Sequence, residues 1–276
     1  MPELPEVETM RRGIEHLVGC TITAVEMPSG RHKSIAIVPE PSRFRRGVLG
    51  KRLEGTERRG KRVVIRLDDQ QRIVFEPRMT GLVLVADPPN EEHLRMKIQL
   101  DGQQSLWYWD RRGLGMITLY DARAYEQELG PERLGPDALQ LTPELLVERL
   151  AACKREIKVA LMDQHLVAGI GNLYASEILH VAGIHPAKRC DQLSKRQWQV
   201  LSQSVVEVLQ EAIYYEGSTL SDGTYRNALN KSGGYQNHHR VYDRRDQWCP
   251  RCAEHRVERI VQAQRSTFFC PGCQRK

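Results

Sequence analysis

Two stretches of this 276-residue chain hold residues that could do chemistry. The first is Met-Pro-Glu-Leu-Pro-Glu-Val at the N-terminus. Pro2 directly follows the initiator methionine, and a small penultimate residue permits removal of that methionine. Pro2 would then carry a free secondary amine. An N-terminal amine titrates at roughly 7.7–8.0, so a useful fraction is nucleophilic near neutral pH. A lysine reaches that state only through burial or a neighbouring cation. Attack of a secondary amine on a carbonyl carbon gives an iminium ion, a covalent electron sink. Glu3, Glu6 and Glu8 stand beside it as candidate general acids and bases. The same residues also suit a helix start, with Pro5 at the first helical position and the glutamates at the positive end. The two readings are compatible.

The second stretch is Cys249-Pro-Arg-Cys252 and Cys270-Pro-Gly-Cys273, with 17 residues between the pairs. This is the spacing of a four-thiolate zinc site. Four cysteines close the tetrahedron, so the site is structural, and the metal supplies folding energy to a segment too short for its own core. Iron or a redox role is the alternative. His255–Gln262 and Ser266–Phe269 between the pairs suit a hairpin with Arg265 near its turn. The other cysteines, Cys20, Cys153 and Cys190, are scattered and read as buried or inert.

Composition limits the classes. The length fits two domains, and 40% hydrophobic content supports ordinary cores. The net charge of +6 suits a polyanionic partner. No run of about 18 apolar residues is present, which argues against a membrane span. The N-terminus lacks a secretory pattern, so the expectation is a cytoplasmic monomer whose clustered cysteines bind metal.

Elements must position these groups. Val7, Met10, Ile14, Leu17 and Val18 recur at helical spacing, predicting an amphipathic helix over Pro5–Val18 stopped by Gly19. From residue 20 to 120 the signal is strand-like: Thr21–Met27, Lys61–Leu67, Leu94–Leu100, Ser105–Trp109 and Met116–Tyr120, separated by turns. Short strands at this density predict a β-sandwich or barrel. Three turns there carry basic or wedge-like residues. Arg58-Arg59-Gly60-Lys61-Arg62 could meet phosphate or guard a strand edge. Arg78-Met79-Thr80-Gly81 offers a loop methionine, either a wedge between base steps or core. Asp110-Arg111-Arg112-Gly113-Leu114-Gly115 could place an arginine and an apolar residue at a loop tip, or be a charged hairpin.

Gly130, Pro131, Gly135 and Pro136 mark residues 121–141 as a linker, with a domain boundary near 133. Helices follow over Pro143–Ala151, Ile157–Asp163, Leu173–Ala182 and Ser194–Tyr215, the last capped by Ser194 and stopped by Gly217. Val167-Ala168-Gly169-Ile170-Gly171-Asn172 is a helix–helix turn that could aim backbone amides at an anion. Residues 221–240 are polar and glycine-rich and read as a mobile loop or a disordered connector.

Together these stretches resemble the bacterial formamidopyrimidine-DNA glycosylases of the formamidopyrimidine-DNA glycosylase / endonuclease VIII superfamily, which excise oxidised purines from DNA. The resemblance rests on Pro-Glu-Leu-Pro-Glu-Val at the start, on the segment from Leu161 to Pro186, and on the cysteine pairs at the end. It covers nearly the whole chain, with gaps near residues 28–50, 85–93 and 221–238. Leu4 matters, because endonuclease VIII proteins usually carry glycine there. The implied fold is α+β: an N-terminal β-sandwich with a helix (1–133), a helix–two-turns–helix domain (134–220), then a capping loop and zinc-finger hairpin (221–276).

The resemblance also assigns roles. Pro2 is the nucleophile and Glu3 the proton donor and acceptor at the sugar. Glu6 is a pocket residue. Met79, Arg112 and Leu114 enter the duplex where the damaged base leaves. Lys61, Lys158, Asn172 and Arg265 hold phosphates. Ser218 lines the pocket of the flipped base and Tyr242 stands beside it. Zinc sits on Cys249, Cys252, Cys270 and Cys273, the partner is damaged double-stranded DNA, and no dissociable cofactor is required. Four departures stand out. Leu114 replaces a phenylalanine, Glu76-Pro77-Arg78-Met79 replaces His-Leu-Gly-Met, Asp243 replaces a glycine, and much of the capping loop has no match. Two alternatives remain: a superfamily member acting on oxidised pyrimidines, and a DNA-binding relative without chemistry. The second holds if Met1 is retained, since an acylated proline nitrogen cannot attack.

Overall fold

The computed structural model describes residues 2–28 and 34–276. Met1, on which the state of the Pro2 nitrogen depends, lies outside the described residues. The chain divides into two compact units, Met1–Gly130 with Tyr215–Gln236, and Pro131–Tyr214 with Asn237–Lys276.

Helix α1 (Leu4–Gly13) opens the first unit. Glu3 is its N-cap, and Glu3 and Glu6 form a reciprocal capping box, each side chain accepting the other's backbone N–H. Pro5 therefore sits at the second helical position, where its missing N–H is still no loss. The helix ends before the expected Val18, and the chain tightens into a 3₁₀ turn at Glu15–Leu17. A Cβ on Gly13 would stand 2.2 Å from the Cβ of Ala228, so the residue ending the helix lets residue 228 pack there.

Strand β1 (Ile22–Glu26), strand β2 (Ala36–Val38) and helix α2 (Pro41–Val48) follow. Then come β3 (Leu53–Arg59), β4 (Arg62–Leu67), β5 (Arg72–Glu76), β6 (Gly81–Leu84), β7 (Leu94–Leu100), β8 (Ser105–Asp110) and β9 (Met116–Tyr120). They form an antiparallel sheet, β1-β7-β8-β6, and a mixed sheet, β2-β9-β5-β4-β3, in which β2 runs parallel to β9. Both sheets feed one core. Ile98, Leu106, Tyr108 and Leu82 come from the first, Val63, Ile65, Phe75 and Ile117 from the second, and Val7, Met10 and Ile14 from the α1 side. This is the sandwich that the short strands predict.

The expected linker over 121–141 is partly helical. Asp121 caps helix α3 (Ala122–Leu129) by accepting the Ala124 N–H at 2.7 Å, and Tyr125 and Leu129 are buried. The second unit contains α4 (Pro143–Leu150), α5 (Ile157–Leu161), α6 (Asn172–Val181), α7 (Lys195–Tyr214) and the hairpin β10 (Glu258–Gln262) with β11 (Arg265–Phe269). Ser194 caps α7 through Gln197, N–H to Oγ at 3.3 Å and the reverse contact at 3.0 Å. Residues 215–236 belong to the first unit. Ala228 O accepts the Val85 N–H at 2.8 Å, and Tyr225, Ala228 and Tyr235 are buried. Residues 221–236 of the glycine-rich segment are thus a packed part of the sandwich unit, and 237–240 belong to the second unit. Among the described residues no helix is long and apolar enough to cross a membrane.

Candidate active site and zinc centre

In the first unit the candidate catalytic residues gather at the N-terminus of α1. Pro2 is buried, as are Glu3 and Glu6, at 4% and 3% exposure. One Glu6 oxygen accepts the Glu3 N–H at 2.8 Å and the other accepts the Ser218 N–H at 2.9 Å. Gly217 makes this approach possible. It has φ of +78°, and a Cβ there would lie 2.8 Å from the Glu6 carboxylate. Tyr225 donates its hydroxyl to Glu216 O at 2.9 Å and closes the same corner. Burial pushes the Tyr225 phenol well above its ordinary value, and the nearby Glu6 charge adds to this.

Glu8 has a different job from Glu3 and Glu6. Its carboxylate binds Arg11, Arg12 and Arg58, at 3.1, 2.9 and 3.2 Å. Arg58 also donates to Gly60 O at 3.1 Å. The two-residue connection Gly60-Lys61, with Gly60 at φ +57°, is thereby tied to α1. Lys61 is half-buried there. The basic run is more than a charged strand edge, because Arg58 is committed to this contact.

Met79, Arg112 and Leu114 share one anchor. Asp110 is fully buried at the end of β8. It accepts a short hydrogen bond from the Thr80 hydroxyl, the Arg112 N–H at 3.2 Å and the Gly115 N–H at 2.7 Å. Thr80 in turn accepts the Arg112 N–H at 3.0 Å. One carboxylate therefore fixes both loops, leaving Met79 and Arg112 exposed and Leu114 half-buried. Tyr108 sits below, donating to Glu76 O at 3.2 Å. Glu76 accepts from Arg62 at 2.8 Å and from Arg78 at 2.9 Å. Its charge is matched by two arginines within the protein.

In the second unit Gln164 staples the turn before α6. Its oxygen accepts the Gly169 N–H at 2.9 Å, and its amide donates to Met162 O and Ile170 O, both at 2.9 Å. Asn172 begins α6, half-buried. Lys158 is 1% exposed. Its ammonium donates to Asn172 Oδ1 at 2.6 Å, Thr267 Oγ1 at 2.7 Å and Ser266 O at 3.2 Å. Lys158, which the resemblance places on a phosphate, braces Asn172 and β11 through these three bonds. Arg265 is exposed where β11 leaves a two-residue turn, Ala263-Gln264, with φ of +44° and +61°.

Glu177 is fully buried and accepts three successive backbone N–H groups, Arg240, Val241 and Tyr242, at 2.8, 2.9 and 2.8 Å. Burial raises its carboxyl above the ordinary value despite these bonds and Arg240. It sets the backbone that carries Tyr242, whose ring packs edge-on against Phe268. Asp243 follows at φ +58°, the reason a glycine suits this position and a short polar side chain is tolerated. Residue types alone gave no signal for Glu177 as an anchor. A carboxylate directly before an Arg-Gly turn was the one available hint for Asp110.

The four sulfurs of Cys249, Cys252, Cys270 and Cys273 lie within 4.8 Å of one another. Cys249–Cys273 measures 3.8 Å and Cys252–Cys270 3.7 Å. A tetrahedron of Zn–S bonds of about 2.3 Å has edges of about 3.8 Å. The donor set fits one structural zinc. His180, buried on α6, places Nε2 3.3 Å from Cys249 Sγ, a contact of the outer shell.

Comparison with known proteins agrees with this geometry. Residues 1–117 match the formamidopyrimidine-DNA glycosylase N-terminal domain, 129–224 the formamidopyrimidine-DNA glycosylase H2TH domain, and 249–275 the zinc finger found in FPG and IleRS. The chain is 41% identical over 283 residues to the formamidopyrimidine-DNA glycosylase of Chloroflexus aurantiacus, covering 99% of this chain and 98% of that one. Among solved structures it is similar to a Lactococcus lactis FPG mutant bound to DNA containing Fapy-dG, with TM-score 0.89, 34% identity and full coverage of both chains. It is also similar to Lactococcus lactis Fpg bound to DNA with an abasic site, with TM-score 0.88, 32% identity and coverage of 99% and 100%. The chain therefore belongs to the formamidopyrimidine-DNA glycosylase family.

Proposed function

We propose that this protein is a base-excision-repair glycosylase and abasic-site lyase that removes oxidised purines from duplex DNA through Pro2. The observation that carries this reading is the buried Pro2-Glu3-Glu6 cluster, with Glu6 joining the Glu3 and Ser218 backbones. The family relatives are named for this substrate class.

The target carbon cannot be reached inside the base stack, so the damaged nucleotide is extruded. Met79, Arg112 and Leu114, held by Asp110, fill the space it leaves. Lys61, Asn172 and Arg265 take backbone phosphates, and Lys158 serves Asn172 as a positioning residue. Ser218 lines the pocket of the extruded base and Tyr242 stands beside the nucleotide. With Met1 removed, the Pro2 amine attacks the anomeric carbon of the deoxyribose. The C–N bond forms as the glycosidic bond breaks, and the base leaves with a proton. Ring opening converts the adduct to an iminium, with Glu3 moving the proton at the sugar. The iminium acidifies the neighbouring carbon, and β- then δ-elimination cut the strand. Glu6 positions Glu3 and the pocket edge. Zinc holds the hairpin that presents Arg265.

Single-turnover excision on a panel of duplexes tests the substrate class. The expected order is 8-oxoguanine and formamidopyrimidines well above oxidised pyrimidines. Excision of oxidised pyrimidines alone would overturn it in favour of another lesion range.

A further inference from the structure

Cys153 and Cys190 have no part in the zinc centre or in the proposed reaction. They are distant in sequence, yet their segments run side by side just ahead of α5. The Cys190 N–H donates to Arg155 O at 3.1 Å, the Asp191 N–H donates to Cys153 O at 3.2 Å, and Glu156 bridges antiparallel to Arg189. Cys153 thus lies across from Asp191, the neighbour of Cys190, and the two cysteines sit on directly hydrogen-bonded segments.

The pair is asymmetric. Cys153 is half-buried, and the Arg155 Nε–H points at its sulfur at 3.3 Å. Asp163 holds that guanidinium from the other side at 3.0 Å. Burial pushes the Cys153 thiol up, but the hydrogen bonds and charge of Arg155 outweigh it and leave the group below the ordinary thiol value. Cys190 is fully buried, and burial with the Cys153 charge pushes it up to about 12. Cys20 serves as an internal contrast. It is also half-buried, but burial and Asp101 push it the other way.

We propose that Cys153 and Cys190 are a peroxide-responsive dithiol pair that closes a reversible disulfide, with Cys153 reacting first and Cys190 resolving. The oxidant is a hydroperoxide. The Cys153 thiolate attacks the terminal peroxide oxygen, an S–O bond forms, the O–O bond breaks, and the alkoxide leaves as an alcohol, or as water from hydrogen peroxide. Cys190 then attacks the sulfenic sulfur. The S–S bond forms, the S–O bond breaks, and the departing hydroxide takes the Cys190 proton as water. Two thiols give up two electrons, and one peroxide accepts them. Loss of the Cys153 negative charge in the first step also eases deprotonation of Cys190 in the second. A low thiolate threshold and partial exposure are what select one cysteine for such oxidation. The disulfide would close a loop that contains α5, α6, Lys158 and Asn172.

The test uses the zinc-loaded full chain, treated with hydrogen peroxide and then mapped by non-reducing peptide mass spectrometry. The expected product is a Cys153–Cys190 cross-linked peptide, absent after dithiothreitol, with Cys20 still a thiol. In Cys190→Ser, dimedone should label Cys153. Arg155→Met should slow alkylation of Cys153 at pH 7 by about threefold or more. Oxidation confined to Cys20 or to the zinc cysteines while Cys153 and Cys190 stay reduced would overturn the proposal. So would alkylation of Cys153 at the same rate with and without Arg155. The mapping on unsubstituted protein needs no variant, so a folding defect cannot shelter the idea.

Discussion

Glu6 and Ser218 stand 212 positions apart in sequence, and the Ser218 N–H meets the Glu6 carboxylate at 2.9 Å. The other Glu6 oxygen holds the Glu3 N–H at 2.8 Å. A glutamine has one accepting oxygen where the carboxylate has two, so Glu6→Gln leaves one buried N–H unpaired. That costs about 1–3 kcal/mol. Loss of positioning should slow excision by about 10- to 100-fold. Urea unfolding and single-turnover excision measure the two effects, and an unchanged rate with lowered stability would confine Glu6 to folding.

Asp110 is the analogous anchor for the exposed loops. Asp110→Ala removes the acceptor for Thr80, Arg112 and Gly115. The expected stability loss is at least about 2 kcal/mol, from the Gly115 N–H and the buried Thr80 hydroxyl losing their acceptor, while the Arg112 N–H keeps Thr80. Binding to lesion duplex should weaken more than binding to undamaged duplex. Titrations of both duplexes check this, and an equal loss for the two would detach Asp110 from recognition of the lesion.

Arg265 is exposed at the tip of the zinc hairpin. If it takes a phosphate, Arg265→Ala should make the slope of log K against log salt shallower by about 0.9, the value for one displaced counterion. Binding measured at several salt concentrations gives that slope directly, and an unchanged slope removes Arg265 from the phosphate contacts.

His239 supplies a pH prediction. Burial, followed by the Arg244 charge, pushes it down to about 4. Between about pH 6.5 and 4 the unfolded chain binds a proton that the folded protein does not. Stability is thus fully present above that window and lost as pH falls through it, by on the order of 3 kcal/mol. His239→Gln should lose less stability than the unsubstituted protein between pH 7 and pH 5. Denaturation at both values measures the difference, and equal losses would contradict the assignment.

The zinc ligands were legible in the sequence because metal spacing is local and chemically specific. The start of α1 was legible to within one residue, since a proline beside glutamates ahead of helically spaced apolar residues is a local signal. Other features were hidden by their physics. The β3 segment Leu-Glu-Gly-Thr-Glu-Arg-Arg buries only Leu53 well, so no alternation marks it as a strand. The prolines and glycines of 121–141 masked α3, whose helical signal rests on Tyr125 and Leu129 alone. Tyr215–Gln236 joins the first unit through contacts such as Val85 to Ala228, and such separation leaves no local trace. The bonds of the Lys158 ammonium to Asn172, Ser266 and Thr267 join residues up to 109 positions apart, and such long-range partners leave no trace in the sequence.

The central claim is that Pro2 forms an iminium with the sugar of an oxidised purine nucleotide. Borohydride trapping on a duplex with one 8-oxoguanine opposite cytosine tests it most directly, because reduction freezes the iminium as a stable cross-link. The account predicts a cross-linked peptide that maps to Pro2, and a weaker band for Pro2→Gly. A cross-link that maps to a lysine would contradict it. So would the absence of any cross-link on both this duplex and an abasic-site duplex that the protein still binds.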